Sequence, residues 1–189
     1  SEEIDRENFH FYSTVLNGVP EQRERWERGV ARVGASSSLG EAVGQVYVER
    51  HFSESAKQQM VDLVENLRTA LGQSIEELDW MGVQTKEEAS EKLSTFRPKI
   101  AYPDEWTDLS AIQISSSDLF ANAQSVREFN YEDSLSRLGK PTDREEWGMT
   151  PQTVNAYYNP VNNEIVFPAA ILQPPFFNLE ADDAVNYGG

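Results

Sequence analysis

Apolar positions over the first 140 or so residues recur with the spacing of amphipathic α-helices. The longest apolar stripe covers residues 56–78, with charged side chains filling the positions between its members. Ser53 stands just before this stripe, and serine is a preferred residue at helix N-termini. Shorter stripes at 26–33 and 39–47 are separated by a run of glycine, alanine and serine. The pattern therefore predicts a body made mainly of helices.

The same pattern predicts where further helices begin. Thr85 and Glu88 have the spacing of a capping box, which favours a helix start at that point. Ser116 or Ser117 is expected to cap a later helix. Residues 100–115 show neither helical nor alternating spacing, so we expect an extended and irregular connection there.

Near its end the chain changes from helical to strand-like spacing. Residues 154–158 are rich in types that suit a pleated, half-buried surface, and 165–167 form a second such run before Pro168. Asparagine and proline dominate the intervening 159–163, which is typical of a turn. The sequence therefore predicts a β-hairpin with Asn155 inside its first strand.

These elements together predict a mostly α (α+β) fold. We expect residues 1–150 to form a helical scaffold and residues 151–189 to form the hairpin and the loop that follows it. An exposed hairpin strand can bind an extended peptide as a further strand. The side chain of Asn155 and the backbone of Ala156 are the natural hydrogen-bonding groups for such a guest.

Composition narrows the classes of function. The 189 residues carry a net charge of −16, which argues against nucleic acid and anionic membranes as partners. No cysteine is present, so disulfides, thiolate catalysis and thiolate metal sites are excluded. No apolar run reaches the length of about 20 residues that a membrane span requires.

Candidate catalytic chemistry is sparse. The two histidines, His10 and His51, are far from the one-turn spacing of the zinc signature HExxH. No GxSxG, phosphate loop or dinucleotide fingerprint occurs. A carboxylate pair for glycoside cleavage remains open among the 32 acidic residues, although nothing singles one out. We therefore predict no catalytic residue and no metal ligand within the chain.

Several long segments resemble the neprilysin family of zinc metallopeptidases, which includes neprilysin, endothelin-converting enzyme and bacterial oligopeptidase O. The segments are GEAVGQVYVERHF, LDWMGVQTKEEASEKL, KIAYPDEW, WGMTPQTV, NAYYNP and NEIVFPAAILQPPFF. The resemblance implies a larger two-lobed peptidase in which HExxH follows shortly after the end of this sequence. It also implies that Asn155 and Ala156 hold the substrate backbone, and that Ile171 and Phe176 help line the pocket for the residue after the scissile bond.

The leading hypothesis is that the chain is part of a zinc metalloendopeptidase of peptides, supplying scaffold and substrate-aligning strand. By the resemblance, zinc and the catalytic glutamate come from a C-terminal segment or partner chain carrying HExxH, and this chain alone is inactive. The resemblance also favours a periplasmic or secreted location over the cytoplasm. The rival hypothesis is a non-enzymatic helical module that captures peptides or proteins on the 154–158 edge strand.

Overall fold

The computed structural model describes residues 2–188. The chain divides into two compact units between Val33 and Gly34. The elements of the first unit are helix α1 (Glu2–Phe9), a π-helical segment (His10–Val15) and helix α2 (Arg25–Val33). None of the described residues in these three elements is buried. An ion pair of 2.9 Å between Arg28 and Asp5 links α2 to α1.

The second unit contains most of the regular structure. Its helices are α3 (Gly40–His51), α4 (Glu54–Glu77), α5 (Val83–Ser94), α6 (Leu119–Ser136) and α7 (Asp183–Gly188), and its strands are β1 (Arg97–Ala101), β2 (Tyr157–Asn159) and β3 (Glu164–Pro168). Helices thus predominate over a small sheet, which confirms the predicted mostly α (α+β) class. In the described part of the chain no helix has the length and apolar character needed to cross a membrane.

The strands form one three-stranded sheet in the order β1-β3-β2. Strand β2 pairs with β3 antiparallel, so the predicted hairpin is present. Strand β1 pairs with β3 in parallel, from Arg97 opposite Glu164 to Ala101 opposite Pro168. Residues 100 and 101 are therefore part of a regular strand, so the expectation of an irregular connection beginning at residue 100 was wrong for these two residues. One strand of the sheet comes from residues 1–150 and two come from residues 151–189. That residues 1–150 act as a scaffold and residues 151–189 as the substrate-aligning part stays a prediction.

The core lies where α4 packs on the sheet. Its buried members are Ala56, Met60, Leu63 and Val64 of α4, Ile100 and Ala101 of β1, and Ala169, Leu172 and Phe177 after β3. The α4 members are the inward positions of the predicted stripe, because residues three or four apart share one helix face. The stripe therefore identified the buried face over the first part of α4 and again at Ile75, but the expectation that Leu67 and Leu71 are also buried was wrong, because they are 51% and 53% exposed.

The residue that caps the helix N-terminus agrees with the prediction for α4 and differs from it for α6. Ser53 caps α4 as predicted, since its Oγ accepts a hydrogen bond of 3.2 Å from the Ala56 amide. Helix α6 is capped by Asp118, whose Oδ1 accepts from the Ala121 amide at 2.9 Å. The prediction that one of the two preceding serines caps α6 was wrong, and the carboxylate takes the position because it lies directly before the first turn.

Helix α5 begins earlier than the capping-box spacing suggested. Its first residue is Val83, with Gly82 at the cap position. Thr85 and Glu88 therefore lie inside the helix and form no capping box. Lys86 Nζ instead donates to the carbonyl of Glu76 at 2.6 Å, which ties the start of α5 to the end of α4.

Candidate functional site

The predicted peptide-binding strand lies at one edge of the sheet. Strand β2 is the terminal strand in the order β1-β3-β2, so in the part of the chain that the structure describes only β3 pairs with it. The strand is shorter than predicted, because Val154 lies in a bend and residues 155 and 156 are outside the sheet. An unpaired edge presents backbone donors and acceptors to an added strand.

Asn155, directly after this bend, makes local hydrogen bonds. Its amide N–H donates to the Thr153 carbonyl at 3.0 Å, and its side-chain Oδ1 accepts from the Ala156 amide at 2.8 Å. Such local bonds compete with the ladder of a sheet, which is why asparagine is a poor strand former. The expectation that Asn155 lies inside the strand was therefore wrong; it lies two residues before Tyr157.

The side chain of Asn155 is nevertheless accessible. Asn155 is exposed and Ala156 is half-buried. Among residues 2–188, no acceptor is found for the Asn155 Nδ2 group. The side chain thus offers a free donor beside the start of the edge strand while its carbonyl oxygen orders the backbone.

The segment before Asn155 is attached to α3 and to the region after β3. Gln152 Nε2 donates to the carbonyls of Gly34 and Gly40, both at 3.0 Å. The carbonyl of Pro151 accepts from the Ala170 amide at 2.9 Å. These bonds hold both sides of the Pro151–Gln152 pair, so the approach to Asn155 is fixed from two directions.

Close packing on α3 completes this attachment. A Cβ atom at Gly44 would lie 2.6 Å from Cδ of Pro151 and 3.0 Å from Oε1 of Gln152. Real Cβ atoms do not approach a rigid ring so closely, and interiors packed to this density respond to a single added methyl group. The glycine at position 44 is therefore what allows the segment to lie against α3.

Tyr157 anchors β2 to the loop that precedes it. Its Oη accepts a hydrogen bond of 2.8 Å from the Gly148 amide. Burial is the main cause of a raised pKa for Tyr157, to which the nearby charges of Glu164 and Glu146 add, while the bond from Gly148 acts in the opposite direction. The phenol therefore stays protonated at neutral pH and keeps its place as an acceptor.

The two predicted pocket residues lie after β3 in different surroundings. Ile171 is half-buried and packs against the core cluster. Phe176 is 50% exposed, next to the buried Phe177. A cavity of about 640 Å³ lies elsewhere, between the 103–109 and 143–151 segments, and none of the four predicted site residues lines it. A role for Ile171 and Phe176 in a shared pocket stays a prediction.

The described residues do not fit a zinc site. A catalytic zinc needs about three protein ligands and an open position. Within residues 2–188 no group of three or more histidine, cysteine, aspartate or glutamate side chains could hold a metal ion. His51 is exposed and its ring lies 5.3 Å from that of Tyr47. No step of zinc chemistry can be derived from these side chains.

Sequence reasoning missed the buried ion pair between Lys99 and Glu164, which lies beneath this site. Their nitrogen and oxygen atoms are 3.0 Å apart, and the side chains are 6% and 2% exposed. A signal was present, because Glu164 shares the inward face of β3 with Val166 and Pro168. A glutamate at an inward position of an alternating strand indicates a buried partner.

Comparison with known proteins places the chain in the class of peptidases. Two sequence profiles described as Peptidase family M13 match it, one over residues 1–103 and one over residues 155–189. Neprilysin of Homo sapiens is 31% identical over 192 residues, covering 97% of this chain and 25% of that protein. Neprilysin-3 of Drosophila melanogaster is 34% identical over 181 residues, covering 92% of this chain and 23% of that protein.

Solved structures agree with these matches. The zinc metalloprotease Zmp1 of Mycobacterium tuberculosis, in complex with an inhibitor, is 50% identical with a TM-score of 0.87, covering all of this chain and 28% of that one. PepO from Lactobacillus rhamnosis is 29% identical with a TM-score of 0.79, and the match covers 95% of this chain and 29% of that one. This chain belongs to peptidase family M13, which confirms the resemblance to the neprilysin family. It spans about a quarter of the length of each of these relatives.

Proposed function

We propose that this chain is the scaffold and substrate-aligning portion of a neprilysin-like zinc metalloendopeptidase that hydrolyses peptides. The observation that carries the proposal is the open edge of β2, with the exposed side chain of Asn155 immediately before it. Family membership supplies the reaction class, because relatives with matching sequence are named as zinc metalloproteases. The chain itself supplies the recognition half of that reaction.

The edge of β2 suits an extended peptide. A guest lying alongside Tyr157–Asn159 would add a strand to the sheet, and Asn155 Nδ2 would donate to a guest carbonyl at the end of this edge. The backbone of Ala156 is the adjacent contact. Each such bond contributes roughly 0.5–1.5 kcal/mol net, so two or three bonds align a substrate without holding the product too tightly.

Zinc and the catalytic glutamate belong, in this proposal, to a C-terminal segment or partner chain that carries HExxH. That signature puts two histidines one helical turn apart with the glutamate as base. Zinc supplies the Lewis acid that such hydrolysis requires. Ile171 and Phe176 would help line the pocket for the residue after the scissile bond. The isolated chain would then hydrolyse no peptide, and the complete enzyme would be periplasmic or secreted.

The test combines this chain with one that carries HExxH and measures zinc content and peptide cleavage. We expect the combination to bind zinc and to cleave. Asn155→Ala is expected to lower kcat/KM about tenfold to a hundredfold, which corresponds to about 1.4–2.8 kcal/mol of lost hydrogen bonding. Asn8→Ala is the matched control, because Asn8 is an exposed asparagine on α1. Equal kcat/KM for Asn155→Ala and Asn8→Ala would remove Asn155 from substrate binding.

One observation also supports the rival hypothesis of a non-enzymatic binding module. The edge strand and Asn155 are complete within this chain, whereas a set of metal ligands is not found among the described residues. That hypothesis predicts that the isolated chain is monodisperse and binds extended peptides without zinc. Calorimetry with the isolated chain, followed by addition of the HExxH chain, separates the two: binding that the second chain leaves unchanged, with no cleavage, would favour the module.

A further inference from the structure

The buried ion pair of Lys99 and Glu164 connects β1 and β3 to the loop before the candidate site. Lys99 lies in β1 and Glu164 begins β3, where it is opposite Asn159 of β2. Beyond its contact with Glu164, Lys99 Nζ donates to the carbonyl of Glu146 at 2.8 Å. The lysine therefore ties the loop around residue 146 to the sheet.

The same loop holds β2 through its next residues. Two positions after Glu146, the Gly148 amide donates to Tyr157 Oη. A Cβ at position 148 would lie 3.1 Å from that oxygen, so an alanine there would require the Tyr157 ring to move by a few tenths of an ångström. A continuous path of contacts thus runs from the ion pair through Glu146 and Gly148 to Tyr157, one residue after Ala156.

Energetics favour a positioning role over a stabilising one. Burying two opposite charges costs several kcal/mol per ion, and apolar residues of similar volume often replace such a pair with no loss of stability. Here the geometry is not optimal, because Glu164 Oε2 finds no well-directed hydrogen-bond donor among the described residues although Lys99 Nζ is 3.0 Å away. What Lys99 provides, and an apolar residue would not, is a donor for the Glu146 carbonyl.

We propose that Lys99 and Glu164 are positioning residues that hold β2 in register for peptide binding. Glu164 orients the lysine, Lys99 fixes the 146–148 loop, and Gly148 fixes Tyr157. The functional half of this inference rests on the proposed peptide-binding role of the β2 edge. The structural half concerns this chain alone.

The first test removes the pair without leaving a lone buried charge. The double variant Lys99→Met/Glu164→Met is compared with Arg97→Met, which removes a more exposed ion pair with Glu145 of the same loop, together with a long hydrogen bond of 3.4 Å to the Arg144 carbonyl. Exposed pairs contribute little, so Arg97→Met is the matched control. In the isolated chain we expect the Gly148 amide to exchange with solvent about tenfold faster in the double variant, equivalent to about 1.4 kcal/mol, and at an unchanged rate in the control.

A swapped pair separates the charge contact from the donor role. Lys99→Glu/Glu164→Lys keeps opposite charges, but a glutamate at position 99 cannot donate to the Glu146 carbonyl. We expect rapid Gly148 exchange to persist in the swapped variant. Gly148→Ala displaces Tyr157 from the loop beyond the buried pair, at an exposed position, so it remains informative if the buried variants fold poorly. It is expected to lower kcat/KM in the combined peptidase by about as much as the double variant.

Amide exchange and cleavage together separate the structural half from the functional half. Faster Gly148 exchange in the double variant, together with lower kcat/KM in it and in Gly148→Ala, supports the inference. Unchanged exchange in the double variant, or slow exchange restored by the swapped pair, overturns it. Normal cleavage by Gly148→Ala while Asn155→Ala is impaired overturns the functional half. Faster exchange with normal cleavage in all variants, Asn155→Ala included, keeps the structural half and overturns the proposed function instead.

Discussion

Gly44→Ala tests whether the segment before Asn155 is fixed by its close approach to α3. The new methyl group would lie 2.6 Å from Cδ of Pro151, which is fully buried and cannot rotate away. Overpacking of this kind typically costs about 1–3 kcal/mol of stability. Alanine also gains about 0.8–1.0 kcal/mol over glycine in a helix interior, which offsets part of that cost. A matched control is needed to isolate the packing term.

Gly72→Ala is that control, because Gly72 is inside α4 and its Cβ would meet only Leu93 Cδ2, at an ordinary 3.5 Å. The helix gain is common to both variants, so the difference between them reports overpacking alone. We expect Gly44→Ala to be less stable than Gly72→Ala by about 1–3 kcal/mol, a Tm difference of about 2–12 °C for a chain of this size. Thermal and urea unfolding of the isolated chain measure it. Equal Tm values for the two variants would refute the tight packing of Pro151 on α3.

Two further predictions concern stability. Burial, followed by the hydrogen bond that Tyr102 donates to Glu54, raises the Tyr102 pKa from 10.0 to about 12. Because the folded-state pKa is the higher one, this contribution is complete below pH 10 and is lost as pH rises through 12. Urea unfolding at stepped pH should show the stability gap between wild type and Tyr102→Phe narrowing over that range, and a constant gap would contradict it. Asp118→Ala should destabilise the second unit by about 0.5–2 kcal/mol through loss of the α6 cap, while Ser116→Ala should change it little, and comparable urea midpoints would contradict this assignment.

The buried face of α4 could be predicted from sequence because it depends on the spacing of residues that are close together in the chain. The inward residues Ala56, Leu63 and Val64 each lie three or four positions from Met60, so the pattern within one helical turn predicts them. The sequence pattern locates the ends of helices less well than it locates their buried faces. Several serines and an aspartate compete for the cap of α6, and only the backbone conformation at Asp118 decides between them. The same ambiguity placed the start of α5 at a capping box that does not form.

Strand β1 could not be predicted because its partner is distant in sequence. Arg97–Ala101 pairs in parallel with β3, more than 60 residues later, and its Pro98 and Lys99 are not typical of a strand interior. The lysine is tolerated there because Glu164 supplies the opposite charge, and the pattern of β3 indicates a buried partner for Glu164 without showing that it is Lys99. The hairpin, in contrast, was predictable, because its turn residues lie between its strands.

The site was predictable in part for the same reason. The turn chemistry at 159–163 located the hairpin, and from it the edge. The position of Asn155 outside the strand was missed because strand spacing suggested continuation, whereas its side chain accepts a local hydrogen bond from the Ala156 amide. The resemblance pointed to Asn155 and Ala156 independently of where the strand begins, so these predictions do not depend on the length of β2.

The two outer strands of the sheet differ in what covers them, and this decides where a guest strand can bind. Strand β1 is outermost on one side, but its Ile100 and Ala101 are buried in the cluster with α4. Strand β2, outermost on the other, is half-buried or exposed along its whole length. Proteins keep open edges short or covered to avoid unwanted pairing, and an edge left open beside a free amide donor is therefore the place where added pairing is useful. A peptide that joins this sheet would do so along β2, next to Asn155, and the ion pair below β3 would set where it lies.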